Sequence, residues 1–312
     1  MKFKLMLVVI LLFLAACNSS EKEQVQTEET NERPDFPRTI TDVKGQEIEL
    51  AERPSKIALT YYPFVDNLLV LDEMPIATTS YNEYIVDNKA LQPYLTTFKG
   101  RQIEDVGDWQ TIHLGKLAKV APDVILAGGE TSEKVYEQLR QIAPVIFFDA
   151  TKVSSDWKYG LQEVAKVVGK EERATEVIAG LDAIAADFKR QLEKLGNETV
   201  LFMAITDRGF AVRAREHLQY YYDELDLNTP ENFEAGQMSL ESLLEMNPDH
   251  IFVFDFQQNP VAPRLEKLRE EQAWNHLKAV TENQVYIVDS ALVYPNPISL
   301  QYGLTTIAEA LE

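Results

Sequence analysis

Apolar residues recur at Val177, Leu181, Ile184, Phe188, Leu192 and Leu195, in steps of four, three, four, four and three. That spacing follows one face of a helix, which the pattern places over Glu171 to Leu195. No proline interrupts it, and Gly196-Asn197 stops it. At 1.5 Å per residue it reaches about 37 Å, enough to cross a small domain. Taken alone the segment is an amphipathic surface helix. With strand–helix alternation on both sides, it reads as a rigid strut joining two lobes across a cleft.

The block before the strut opens with RTITDVKGQEIE, Arg38 to Glu49, which alternates around Lys44-Gly45 as a hairpin does. Lys56–Thr60, Ile76–Thr79, Val124–Ala127 and Val145–Phe148 read as short buried strands, with helices over Phe64–Leu71 and Thr131–Ile142. After the strut the order repeats. Strands are expected over Val200–Ile205, Ile251–Phe254 and Gln284–Val288, and helices over Leu218–Leu225, Leu265–Leu277 and Ile298–Leu311. Such alternation implies α/β architecture, with mainly parallel sheets covered by helices.

One internal echo is specific. Leu114-x-x-Leu117-x-x-Val120-x-Pro122-Asp123 precedes a strand in the first block, and Leu240-x-x-Leu243-x-x-Met246-x-Pro248-Asp249 precedes one in the second. Two such helix–turn–strand units on opposite sides of the strut suggest paired lobes. The division that follows is 38–155 for an N-terminal lobe, 156–195 for a helical connector containing the backbone helix 171–195, and 196–312 for a C-terminal lobe.

The first residues set the compartment. Lys2 and Lys4 are followed by an apolar run from Leu5 to Leu14, then Ala15-Ala16-Cys17. The run reads as a signal peptide, residues 1–16, too short for a stable membrane span. Leu14-Ala15-Ala16-Cys17 resembles the bacterial lipobox, which implies a lipid-modified Cys17 as mature N-terminus; a plain secretory leader with an incidental cysteine is the alternative. Residues 17–37 then form a polar tether of about 25 Å random-coil reach. Cys17 is the only cysteine, so the chain forms no internal disulfide.

With 45% hydrophobic residues the chain can bury real cores, and its net charge of −20 disfavours nucleic acid as a partner. The four histidines, His113, His217, His250 and His276, form no i,i+4 pair, so no local metal signature appears. No GxSxG, HExxH or phosphate loop is present, which argues against an extracellular lipoprotein enzyme.

Ligands of parallel-sheet folds meet the loops at the carboxyl ends of strands. Those loops carry Tyr61, Tyr62, Tyr81, Tyr84, Trp109, Arg208, Arg213, Arg215 and Tyr294. Arg213 and Arg215 lie two apart, which puts both on one side of an extended segment. Guanidinium forks match carboxylates in bidentate geometry. Ligand-binding candidates are therefore Tyr61, Tyr62, Tyr84, Trp109, Arg208, Arg213, Arg215 and Tyr294; surface ion pairs and core packing are the competing roles. His113, just before the first LxxL helix, is open between ligand contact and a cap or surface position; Tyr81 and Tyr84 equally fit core or loop packing, and most of Tyr220–Tyr222 reads as packing.

At this point the chain resembles the solute-binding lipoproteins of bacterial ABC importers that carry ferric siderophores, haem or cobalamin. The lipobox, TITDVKGQEIEL, RPSKIAL, both LxxLxxxxPD units, the single long helix and YPNPISL carry the likeness, which spans nearly the whole chain. It implies two Rossmann-like lobes joined by one long backbone helix, the ligand cleft between them and little closure. It implies as partners a ferric siderophore, an importer permease and the membrane, the last through the N-terminal lipid, and a monomer. It implies no intrinsic cofactor, with ferric iron only inside a bound chelate. Family members carry a permease-docking glutamate in each LxxL unit. Here Glu241 matches in the second unit, but Gly115 stands in the first, with Glu104, Asp105 and Asp108 nearby as substitutes. Haem or cobalamin binding on the same fold is the alternative.

Overall fold

A computed structural model describes residues 36–86, 88–256 and 260–312. The leader, Cys17 and the tether as far as residue 35 lie outside the described residues. A two-stranded antiparallel hairpin, β1 (Arg38–Thr41) with β2 (Glu47–Leu50), turns at Gly45 with φ +74°. The first sheet has β3 (Ile57–Leu59), β4 (Ala77–Thr78), β5 (Glu104–Asp105), β6 (Val124–Gly128) and β7 (Val145–Phe148). Its order is β5-β4-β3-β6-β7, parallel throughout. The second has β8 (Val200–Thr206), β9 (Gly209–Val212), β10 (Gly236–Met238), β11 (His250–Asp255) and β12 (Val285–Asp289), in the order β10-β9-β8-β11-β12.

Strands β8, β11 and β12 are parallel, while β9 and β10 run antiparallel on one edge. This edge departs from the alternation read in the sequence. Its cause is the tight turn Thr206–Gly209, where Gly209 has φ +113° and an added Cβ would sit 2.4 Å from the Met238 carbonyl oxygen. Only glycine tolerates that backbone and that approach.

Each sheet has one face in its own core and one in a shared core. Ile125, Ala127, Leu117 and Phe147 pack on the outer face of the first sheet, and Leu201, Met203, Val253 and Trp274 on that of the second. The inner faces contribute Leu59, Leu126, Phe148, Phe202, Phe252 and Phe254 to one continuous cluster. Burial on both faces is why these strands read as unbroken apolar runs.

The long helix spans Glu171–Leu192 and ends in a 3₁₀ turn, Glu193–Leu195. Ala174, Leu181, Ala185 and Leu192 form its buried stripe. Its first turn bonds to the first lobe, where Lys170 Nζ donates to the Leu71 carbonyl and Arg173 Nε to that of Val70. Its far end reaches the second lobe, with Lys189 Nζ 3.4 Å from Asp226 and Lys194 Nζ donating to the Glu312 carbonyl at 2.7 Å. The helix joins the lobes as a strap across the shared core rather than as a spacer standing between them. The expected helices at 131–142 and 265–277 are each broken into shorter turns, at Val135 and after Arg269.

The sequence echo has a structural counterpart. Helices Leu114–Val120 and Leu240–Met246 both end on a left-handed residue, Ala121 (φ 47°) and Asn247 (φ 38°). The aspartate that follows then binds the chain leading into the neighbouring parallel strand. Asp123 Oδ2 accepts from the backbone N–H of Ser55 and Lys56 and from the Ser55 hydroxyl, at 2.9–3.0 Å. Asp249 Oδ2 accepts from the N–H and hydroxyl of Thr199 at 2.7 and 2.8 Å. Asp123→Ala and Asp249→Ala are each expected to lower stability by about 1–2 kcal/mol in urea melts. The double variant should add, because the two stitches share no partner.

Candidate functional site

The carboxyl ends of the strands in both sheets meet across an aromatic floor. Tyr61 and Tyr62 follow β3, with ring centroids 6.3 Å apart. Tyr62 lies 4.8 Å from Tyr84, and Tyr84 packs edge-on to Tyr294 at 4.8 Å. Tyr294 follows β12, so the row crosses from one lobe to the other. Tyr84 sits in a π-helical turn, Tyr81–Val86, a local widening frequent at functional sites. Ser80, just before it, holds φ 55°, and its hydroxyl and that of Thr79 are buried without hydrogen-bond partners among the described residues. Strain and orphan hydroxyls at the ligand end of a strand point to a working position.

Arg213 stands at the second-lobe end of this row. Its N–H donates to the Phe202 carbonyl at 3.0 Å, which fixes the residue just beyond β9. Val212 belongs to the outer core, so the side chain of Arg213 turns to the inner face, with its guanidinium carbon 6.0 Å from the centre of the Phe254 ring. Its Nε is buried with no hydrogen-bond partner, and no acidic side chain among the described residues pairs with it. Burial pushes its pKa down, while Tyr294 pulls it up. A guanidinium stays ionised at neutral pH all the same. The site therefore contains a fixed, partly desolvated cation beside aromatic rings.

The other candidates divide. Tyr61 is half-buried, packs against Gly128 and Gly129, meets Phe64 edge-on and pairs its hydroxyl with that of Ser154 at 2.9 Å. Trp109 is 63% exposed on the loop after β5, braced where its carbonyl accepts from Thr131 Oγ1 at 2.7 Å. Arg208 is exposed at the β8–β9 turn. Two expectations are corrected. Tyr84 is 1% exposed with its hydroxyl bonded to Asp66 and Asn296, so it supports the floor from beneath instead of facing a ligand. Arg215 does not share the role of Arg213: the strand ends at Val212, a 3₁₀ turn begins at Arg215, and its guanidinium pairs with Asp223 at 2.6 Å over the Tyr222 ring.

A model of the periplasmic binding protein family matches residues 57–292. The chain belongs to the periplasmic binding protein family. Among curated relatives, it is 26% identical to the iron-uptake system-binding protein of Bacillus subtilis, over 92% of this chain and 90% of that one. It is also 26% identical to the Fe(3+) dicitrate-binding periplasmic protein FecB of Escherichia coli, over 82% and 83% of the two chains. Among solved structures, Bacillus subtilis FeuA superposes with a TM-score of 0.73 at 25% identity, covering 88% of this chain and all of that one. A second FeuA structure, in complex with ferri-bacillibactin, gives 0.70 at 25% identity over 88% and 98%.

Other features bear on family function. Glu241 is exposed in the first turn of Leu240–Met246, where its own N–H and the Ser239 hydroxyl hold its pKa below the usual range. In the matching first-lobe helix Gly115 is exposed with open space around it. Of its neighbours, Asp105 and Asp108 are used in local turns, accepting from Gly107 N and from Gln110 N and Thr111 N, whereas Glu104 is exposed on the edge strand β5. His113 is exposed, and no group of three His, Cys, Asp or Glu among the described residues is placed to hold a metal. No described helix is long and apolar enough to cross a membrane.

Sequence reasoning missed Asp66, Asn296 and Phe254. Asp66 left a signal: a carboxylate inside the apolar helix FVDNLLV is costly unless bonded.

Proposed function

We propose that the protein is a lipid-anchored solute-binding protein that captures a ferric siderophore and delivers it to an ABC importer. The observation that carries this reading is Arg213, a cation held beside aromatic rings between two lobes, with no acidic partner among the described residues. An anionic chelate supplies the missing charge, and it brings its own iron ligands, so the protein needs charge and aromatic walls. One guanidinium of bidentate geometry suits a carboxylate-type chelate. The names of the ferric dicitrate-binding relative of Escherichia coli and the Fe(3+)-citrate-binding relative of Bacillus subtilis are in keeping with that class. Cys17 is the residue that carries the lipid.

Titration of the purified protein with ferric citrate, ferri-bacillibactin and a ferric hydroxamate, read by tryptophan fluorescence, tests the reading. Ferric citrate is expected to quench with a dissociation constant below about 1 µM. If no chelate quenches in that range, the reading fails. Trp109, standing exposed beside the cleft, should carry the larger share, so Trp109→Phe should reduce the quench without moving the midpoint more than about threefold. Glu241 is assigned to permease docking. Glu241→Ala should lower iron uptake by cells several-fold and leave chelate affinity unchanged, as loss of an exposed charge at a docking rim does. Equal uptake by the variant removes Glu241 from that role.

A further inference from the structure

The C-terminal helix, Pro297–Leu311, begins at Asn296, a residue type that ordinarily caps its own helix. Here it makes no such bond. Its side-chain amide instead donates to the Tyr84 hydroxyl at 2.8 Å. The orphan N–H groups of the first turn go elsewhere: those of Ile298 and Ser299 donate to Asp66 Oδ1 at 2.8 and 3.1 Å. Asp66 Oδ2 accepts from the Tyr84 hydroxyl at 2.7 Å. The cap of a second-lobe helix is thus supplied by a first-lobe carboxylate 232 residues away.

Asp66 also lies in the first turn of its own helix, Phe64–Val70, so it sits where two positive helix ends meet. Asp66 and Ser299 are 0% exposed, Tyr84 1% and Asn296 5%, so no solvent competes for these bonds. Two further contacts bring the same segments together: Asn88 Nδ2 donates to Ser299 Oγ at 3.3 Å, and Lys89 Nζ lies 3.1 Å from Asp289. The clasp joins the ring row at Tyr84, which is at once a member of the clasp and the link between Tyr62 and Tyr294.

We propose that Asp66 is the positioning residue of the cleft: it clamps the start of the C-terminal helix onto the first lobe and so sets the spacing of Tyr62 and Tyr294 across the floor. The strap helix limits how the lobes swing, and this clasp limits how far their inner edges part. What the spacing serves rests on the chelate reading; the clasp itself does not.

Hydrogen exchange of the full-length chain, without ligand, tests it. Asp66→Ala is expected to speed exchange of the Ile298, Ser299 and Leu300 amides by at least about tenfold, with the central strands β6 and β11 unchanged, since local opening need not follow global unfolding. Asp66→Asn keeps an acceptor oxygen for both N–H groups and should restore most of the protection. If Asp66→Ala does not fold, Tyr84→Phe, which keeps the ring and removes the bridging hydroxyl, should raise exchange in the same turn. Unchanged exchange in that turn, or an equal rise through β6 and β11, overturns the proposal. No ligand enters the measurement, so its failure leaves the chelate reading standing, and failure of the chelate titrations leaves the clasp standing.

Discussion

Arg213→Met is expected to weaken ferric citrate binding by about 30-fold to 1,000-fold while raising the melting temperature of the ligand-free protein. The two effects have opposite signs for one physical reason. In the free protein the guanidinium is partly desolvated, and among the described residues its Nε lacks a partner and no carboxylate offsets its charge. Leaving such a donor unsatisfied costs about 1–3 kcal/mol, which methionine removes while its thioether packs on Phe254. In the complex the same group meets the anionic chelate, and loss of a buried charge-assisted contact costs about 2–4 kcal/mol, or the stated range in affinity. Arg213→Lys keeps the charge without the fork and should fall between. Arg215→Met is the control: its guanidinium already has Asp223, so affinity should change by less than about threefold. A ligand-free Arg213→Met protein that melts below wild type, or one that binds within threefold of it, removes Arg213 from the centre of the site.

The contrast between these arginines shows what the sequence could reveal. Periodicity of two put both on one side of an extended chain, but β9 ends at Val212, Arg215 opens a 3₁₀ turn, and the carboxylate of Asp223 claims it; none of this is contained in a spacing of two. The strands were legible because burial on both faces leaves unbroken apolar runs such as VILAG and VLFMAI. The paired lobes were legible because each repeats a helix followed, after one left-handed residue, by Pro-Asp, and the aspartate has a structural task in both. Pairings between distant parts of the chain were not legible. Tyr84 looks like an exposed loop tyrosine until Asp66 and Asn296 are brought against it from 18 and 212 residues away. Local propensity carries no information about such contacts, although a lone carboxylate in an apolar helix marks where one must exist.

Between pH 4 and 6 the wild-type protein is expected to lose stability relative to Asp66→Asn as pH rises. Burial is the largest influence on Asp66 and raises its pKa, while bonds from Tyr84, Ser299 and Ile298 lower it, leaving it at about 6 against an ordinary 3.8. The folded pKa lies above the unfolded one, so folding takes up a proton in this window. The stability this supplies is complete below about pH 3.8, declines as pH rises, and is gone above about 6. Its size is on the order of 2–3 kcal/mol. Among the described residues, the titratable groups that interact with Asp66 are phenols: Tyr84 from the π-helical turn, Tyr94 from the helix Gln92–Leu95 and Tyr221 from the helix Gln219–Glu224. Burial raises all three above their ordinary value of 10.0, so they stay neutral throughout and cannot generate the slope. Asp66→Asn mimics the protonated carboxyl, and the many surface carboxylates cancel in the difference between the two proteins. Urea melts at half-unit steps should give a difference that falls from pH 4 to 6 and is flat beyond 7. A difference that is level or rises through the window would mean that three donors fully offset burial. At neutral pH the clasp is thus ionised, and its charge-assisted bonds to Ile298, Ser299 and Tyr84 hold the cleft floor at the expense of stability the protein would otherwise have, as a site built for fit rather than for folding does.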